Sequence, residues 1–134
     1  LPEFNYTDLL GKEFEYGGRG PDAFDCWGLC LEVTKRAGVV LPRVYTPAEF
    51  AAMNDLFDST KGGDYIKINK PEPFCIAVFR MRPPIIWHAA VVLPDCHRFI
   101  HIMQRRSVTI DRLDSPVWER KLDGFYVFDG LLSE

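Results

Sequence analysis

The chain has 134 residues, 47% hydrophobic and 26% charged, enough apolar material for one compact domain over residues 1–134 with its own core. Its net charge of −3 offers no basic footprint for nucleic acid, and no apolar run approaches the roughly 20 residues of a membrane span. Leu1-Pro2-Glu3-Phe4 shows neither the basic nor the apolar stretch of a secretion signal, which fits a product made in the cytoplasm.

In chain order, residues 5–10 can form a short helix closed by Gly11. The breaker cluster Gly17-Gly18-Arg19-Gly20-Pro21 reads as a loop. Asp25 then has the chemistry of an N-cap for a helix that begins at Cys26 and ends at Ala37-Gly38, with Gly38 as the stop. The apolar stripe of that helix is Cys26, Leu29, Cys30, Val33 and Ala37, and Lys35 and Arg36 in its last turn complement the helix dipole. Thr46-Pro47-Ala48-Glu49 has the form of a capping box with proline at the first helical position, predicting a second helix to about residue 56. Residues 59–73, polar and rich in Gly, Lys and Pro, read mostly as loop. From residue 74 the period changes, and 75–79, 87–93, 98–103, 108–110 and 124–128 read as strands between turn signals. Helices followed by hairpin-connected strands predict an α+β domain, its N-terminal helices packed on an antiparallel β-sheet.

The four cysteines, Cys26, Cys30, Cys75 and Cys96, are even in number, but a chain this apolar needs no disulfide staples, and they read as free thiols. No Cys-x-x-Cys or His-x-x-x-His pair occurs, and the adjacent Cys96-His97 suits tetrahedral ligation poorly, so the sequence calls for no metal and no cofactor. Cys26 stands apart from the others. At the first turn of a helix it meets unpaired amides and the positive end of the dipole, which predicts a lowered thiol pKa despite the neighbouring Asp25. Its own N–H could serve an oxyanion, and the glycines ahead of it let a loop pass close to the sulfur. Cys30, one turn further in, reads as core.

A nucleophilic thiol needs a base, and imidazole is the usual one. His88 opens the strand "HAAVVLP", with Ala89 and Ala90 leaving room around it. In "FIHIM", alternation puts Phe99, His101 and Met103 on one face and Ile100 and Ile102 on the other. Adjacent antiparallel strands can therefore set His88 and His101 side by side, His88 taking the thiol proton and His101 orienting it. His97, after Asp95-Cys96, reads as an exposed hairpin residue.

These stretches, "FEYGGRGPDAFDCWGL", then "HAAVV", then "FIH", resemble the NlpC-type cysteine peptidases, a papain-like family that cuts bacterial wall peptides. The likeness runs over about residues 11–102. Trp27 in "DCWGL" and the ending "GFYVF" are similar to the phage tail-assembly branch of the lambda K type. The resemblance implies a peptidoglycan endopeptidase with Cys26 as nucleophile, His88 as base and His101 as orienting residue. It also implies a substrate amide such as a D-glutamyl to diamino-acid bond, tail-tip proteins as partners, and later carriage in a virion. Around the thiol, Phe14, Tyr16, Asp25 and Trp27 are the expected oxyanion and substrate-binding residues. Many family members carry a tyrosine where this chain has Phe14, whose ring brings no hydroxyl; Tyr16 could supply one. The usual Gly-Asp ahead of the first core strand is replaced by "KPEPFCIAVF". The alternative functions are a non-catalytic structural or wall-binding tail subunit and a thiol hydrolase of small amides or esters.

Overall fold

The computed structural model describes residues 4–39, 65–81 and 87–128. A 3-10 turn at Thr7–Leu9 leads to the short strands β1, Glu13–Phe14, and β2, Ala23–Phe24, which pair in parallel. Helix α1 follows at Cys26–Arg36. The main sheet is built from β3 (Tyr65–Ile68), β4 (Ile76–Arg80), β5 (Trp87–Val92), β6 (Arg98–His101), β7 (Thr109–Arg112) and β8 (Leu122–Phe128). A short helix α2, Pro116–Lys121, precedes β8. Strand order is β3-β8-β4-β5-β6-β7, and every ladder is antiparallel.

The pleat divides the sheet into two apolar faces. One carries Ile76, Val78, Ala89, Val91 and Ile100 against Trp27, Leu29, Cys30 and Val33 of α1. The other carries Ala77, Phe79, Ala90, Val92 and Phe99, with Trp118 of α2 packed over them. Central strands buried on both sides explain the unbroken apolar runs of β4 and β5.

The α+β class and the antiparallel sheet agree with the sequence reading, and so does α1. Its last-turn amides close on Val33 and Lys35, and Gly38 takes the left-handed conformation with φ +79°. Arg36 pairs with Glu32 one turn back and with Asp8, fastening the helix to the 3-10 turn.

The helix expected over 47–56 lies outside the described residues. Two differences have physical causes. Within the segment read as loop, Tyr65–Ile68 forms an edge strand, because pairing with Phe125–Phe128 buries Tyr65 despite the polar sequence around it. The short α2 was not anticipated; Ser115-Pro116 is its start signal, and its six residues are too few to show a period. Among the described residues no helix is long and apolar enough to cross a membrane.

Candidate active site

The cysteine block is built almost entirely from backbone. The Asp25 amide donates to Gly18 O at 3.0 Å, and the amides of Gly18 and Gly20 donate to Glu15 O and Ala23 O at 2.8 Å each. These bonds fold the glycine loop over the first turn of α1. Asp25 caps that turn by accepting from the Gly28 amide at 2.6 Å, and Arg19 Nη1 lies 2.6 Å from the same carboxylate oxygen. The approach is close enough to exclude any side chain at position 28, where a Cβ would stand 2.0 Å from Gly18 O. Glycine is required here for space.

Cys26 is thereby held at the helix start, partly exposed, while Cys30 is buried. All four cysteines are free thiols. The Cys26 sulfur lies near the Ala89 amide of β5 and the Trp27 amide, and both pull its pKa downward. Contrary to the expected lowering, the thiol pKa is pushed up to about 11. Enclosure by protein is the main cause and the Asp25 charge adds to it, outweighing the two amides and Arg19.

The histidine block is built across strands. With Val91 opposite Ile100, His88 and His101 are diagonal neighbours on the same face, and His88 Nε2 lies 2.8 Å from His101 Nδ1. His101 Nε2 lies 2.7 Å from Asp111 Oδ2 on β7. Both imidazoles are buried. Trp118 covers them, its ring centroid 5.9 Å from that of His88 and 4.8 Å from that of His101. Burial lowers the His88 pKa to about 3, helped by the neighbouring His101 and Lys121. It also lowers that of His101, against the pull of Asp111. The His88 ring keeps company with Phe79, His101 and Trp118, whereas the next residue, Ala89, faces α1. Thiol and imidazoles thus approach β5 from its two sides, at the neighbouring residues Ala89 and His88.

Residues 11–127 match the NlpC/P60 family. The chain belongs to that family. It is 40% identical over 58 residues to the probable endopeptidase p60 of Listeria monocytogenes and 38% identical over 58 residues to that of Listeria welshimeri. The L. monocytogenes match covers 42% of this chain and 12% of the relative, so the chain spans a small part of the curated proteins it matches. Among solved structures, an NLP/P60-family lipoprotein-like protein of Staphylococcus aureus superposes with a TM-score of 0.61 at 22% identity, over 90% of this chain and 38% of the other. A Bacillus cereus NlpC/P60 protein gives 0.63 at 20%, over 91% and 37%. The NlpC/p60 domain of the peptidoglycan hydrolase SagA gives 0.54 at 21%, over 90% of each chain. These likenesses establish the NlpC/P60 fold.

Within this fold the residues expected around the thiol divide. Asp25 is engaged as cap and ion-pair partner. The Trp27 side chain is fully buried and packs edge-on to Tyr65, 6.1 Å between centroids, while its amide lies near the Cys26 sulfur. An indole one position past the thiol turns inward because α1 buries that side against the sheet. Phe14 is partly buried against the core, edge-on to Tyr16, which is 69% exposed. His97 sits at the β5–β6 turn, its amide donating to Asp95. Sequence reasoning missed Asp111, Trp118 and the Ala89 amide, none of which has a local signature beyond its residue type.

Proposed function

We propose that this domain is a cysteine endopeptidase acting on peptidoglycan peptides, with Cys26 as nucleophile, His88 as base and His101 as orienting residue. The observation that carries the reading is the buried imidazole pair, joined at 2.8 Å between β5 and β6, with the amide that follows His88 on β5 lying near the Cys26 sulfur. A scaffold protein has no use for such a chain of polar groups in its core.

With the thiol pKa raised and the imidazole pKa lowered, both groups rest neutral at neutral pH. Attack then couples two events. The sulfur forms a bond to the scissile carbonyl carbon as its proton passes to Nδ1 of His88, the nitrogen that His101 leaves unused. The carbonyl becomes an oxyanion at the start of α1, where the Cys26 N–H can donate to it. Collapse of this intermediate breaks the C–N bond, the amine departs with the proton from His88, and a thioester remains. Water attacks the thioester, giving its proton to His88, and Cys26 recovers a proton as the acid leaves.

The endopeptidase name of the Listeria relatives and the hydrolase name of SagA support a wall-peptide substrate, and the family resemblance supports the D-glutamyl to diamino-acid bond. The phage-tail association belongs to the same proposal. It is supported by "DCWGL" and "GFYVF", and would make the protein a cytoplasmic product carried with tail-tip partners in a virion.

Digestion of purified wall fragments, with new termini identified by mass spectrometry, tests the reading. Cleavage by the wild type and none by Cys26→Ala is expected. A wild type inert on a broad set of fragments would instead support a non-catalytic tail subunit or a hydrolase of small amides or esters.

A further inference from the structure

The carboxylate of Asp111 lies at the outer end of the histidine chain, in a position no sequence argument reached. Its side chain is 41% exposed, whereas that of His101 is 1% exposed. The chain therefore has one end open to solvent and runs inward from it. A neutral imidazole carries its proton on one nitrogen and a lone pair on the other, and the partner of either nitrogen decides which is which.

We propose that Asp111 is a positioning residue that fixes the tautomer of both histidines, leaving Nδ1 of His88 unprotonated and ready to receive the Cys26 proton. The inference rests on the assignment of Cys26 and His88 as nucleophile and base. A carboxylate only accepts, so at 2.7 Å from Asp111 Oδ2 the Nε2 of His101 must donate. Neutral His101 then bears its lone pair on Nδ1. That lone pair, 2.8 Å from His88 Nε2, requires His88 to donate through Nε2. Neutral His88 is left with its lone pair on Nδ1, which is the form a base needs. Without the carboxylate, the opposite polarity would satisfy the imidazole pair equally well: His101 Nδ1–H would donate to His88 Nε2, and His88 would hold its proton on Nδ1, where it blocks the reaction. Trp118 lies against both rings. The charged groups that bear on the pair are Asp111 from β7 and Lys121 from α2. Asp111 alone among them is bonded to an imidazole nitrogen of His101.

The chain contains three histidines, so their ring nitrogens can be assigned individually by 15N NMR. In the wild type, His88 should show a protonated Nε2 and a bare Nδ1. In Asp111→Ala it should shift toward the other tautomer, and kcat on wall peptides should fall with KM unchanged. In a serine-protease triad, removing the carboxylate's charge next to the base costs about 10⁴-fold, so one imidazole further out a loss of about 10- to 100-fold is expected. Asp111→Glu should restore most of both signals. A protonated His88 Nδ1 in the folded wild type would overturn the proposal, and so would an unchanged His88 tautomer in folded Asp111→Ala. A wild type that cleaves no wall peptide would count against the hydrolase reading, while the NMR spectra would still decide for or against Asp111.

Discussion

The two halves of the site are built in opposite ways. The cysteine block spans about a dozen residues of continuous chain, and its geometry comes from backbone bonds among Glu15, Gly18, Gly20, Ala23 and Asp25, with one capping carboxylate. The histidine block draws His88, His101 and Asp111 from three neighbouring strands and Trp118 from a helix, and its geometry comes from side chains. The difference teaches where each can fail. Backbone geometry tolerates changes of side-chain chemistry but not of volume. The imidazole chain tolerates small changes of packing but not of polarity.

The most severe way to sharpen this contrast is to remove the reacting atoms. Cys26→Ala should leave the fold intact and lower turnover by about 10⁴-fold, equivalent to roughly 5.5 kcal/mol of barrier, as read by peptide release under saturating substrate. His88→Gln should cost about 10²- to 10⁴-fold. A Cys26→Ala protein that still cleaves would break the assignment of the nucleophile.

Next comes volume in the backbone-built half. Gly28→Ala places a methyl 2.0 Å from Gly18 O, and should cost about 3 kcal/mol in urea unfolding, the upper range for overpacking. A neutral effect would show that the glycine loop is not fastened to α1 as described.

Titration then separates the halves from opposite ends of the pH scale. His88 is held neutral in the fold, with a pKa of about 3 against 6.5 for the free group, so the unfolded chain binds the extra proton first. Stability should therefore be full above about pH 6.5 and fall as the pH drops toward 3, by about 1.4 kcal/mol per unit for that group. The lowered pKa of His101 works in the same direction. Cys26 behaves in reverse: its thiol is held protonated up to about 11 against 9.0, so stability falls as the pH rises between them. In urea midpoints, His88→Gln should flatten the acid limb and Cys26→Ala should flatten part of the alkaline limb. An unchanged acid limb in His88→Gln would contradict the buried neutral imidazole.

The smallest expected effect concerns the boundary of the site. If the Phe14 ring edge faces the thiol, Phe14→Tyr should raise turnover about tenfold, or about 1.4 kcal/mol of barrier, by adding an oxyanion donor. If the ring edge faces the core, the same hydroxyl is buried without a partner and stability falls by about 1–3 kcal/mol. Measuring both turnover and urea midpoint distinguishes the two orientations.

The sequence by itself determined whatever depends on neighbours along the chain. Asp25 followed by an apolar stripe and closed by Gly38 specifies α1, the glycine cluster specifies a loop ahead of Cys26, and apolar runs between turn residues specify most of the sheet. The order of "DCWGL", "HAAVV" and "FIH" was enough to reach the family. Only tertiary structure decided the rest. The strand at Tyr65–Ile68 exists because β8 pairs with it, the Trp27 indole turns inward because α1 rests on the sheet, and Asp111 meets His101 because β6 and β7 share a register. The state of the thiol belongs here as well. Its pKa is raised chiefly by burial in the assembled fold, which outweighs the amides of Trp27 and of Ala89, a residue of β5 more than sixty positions away in sequence.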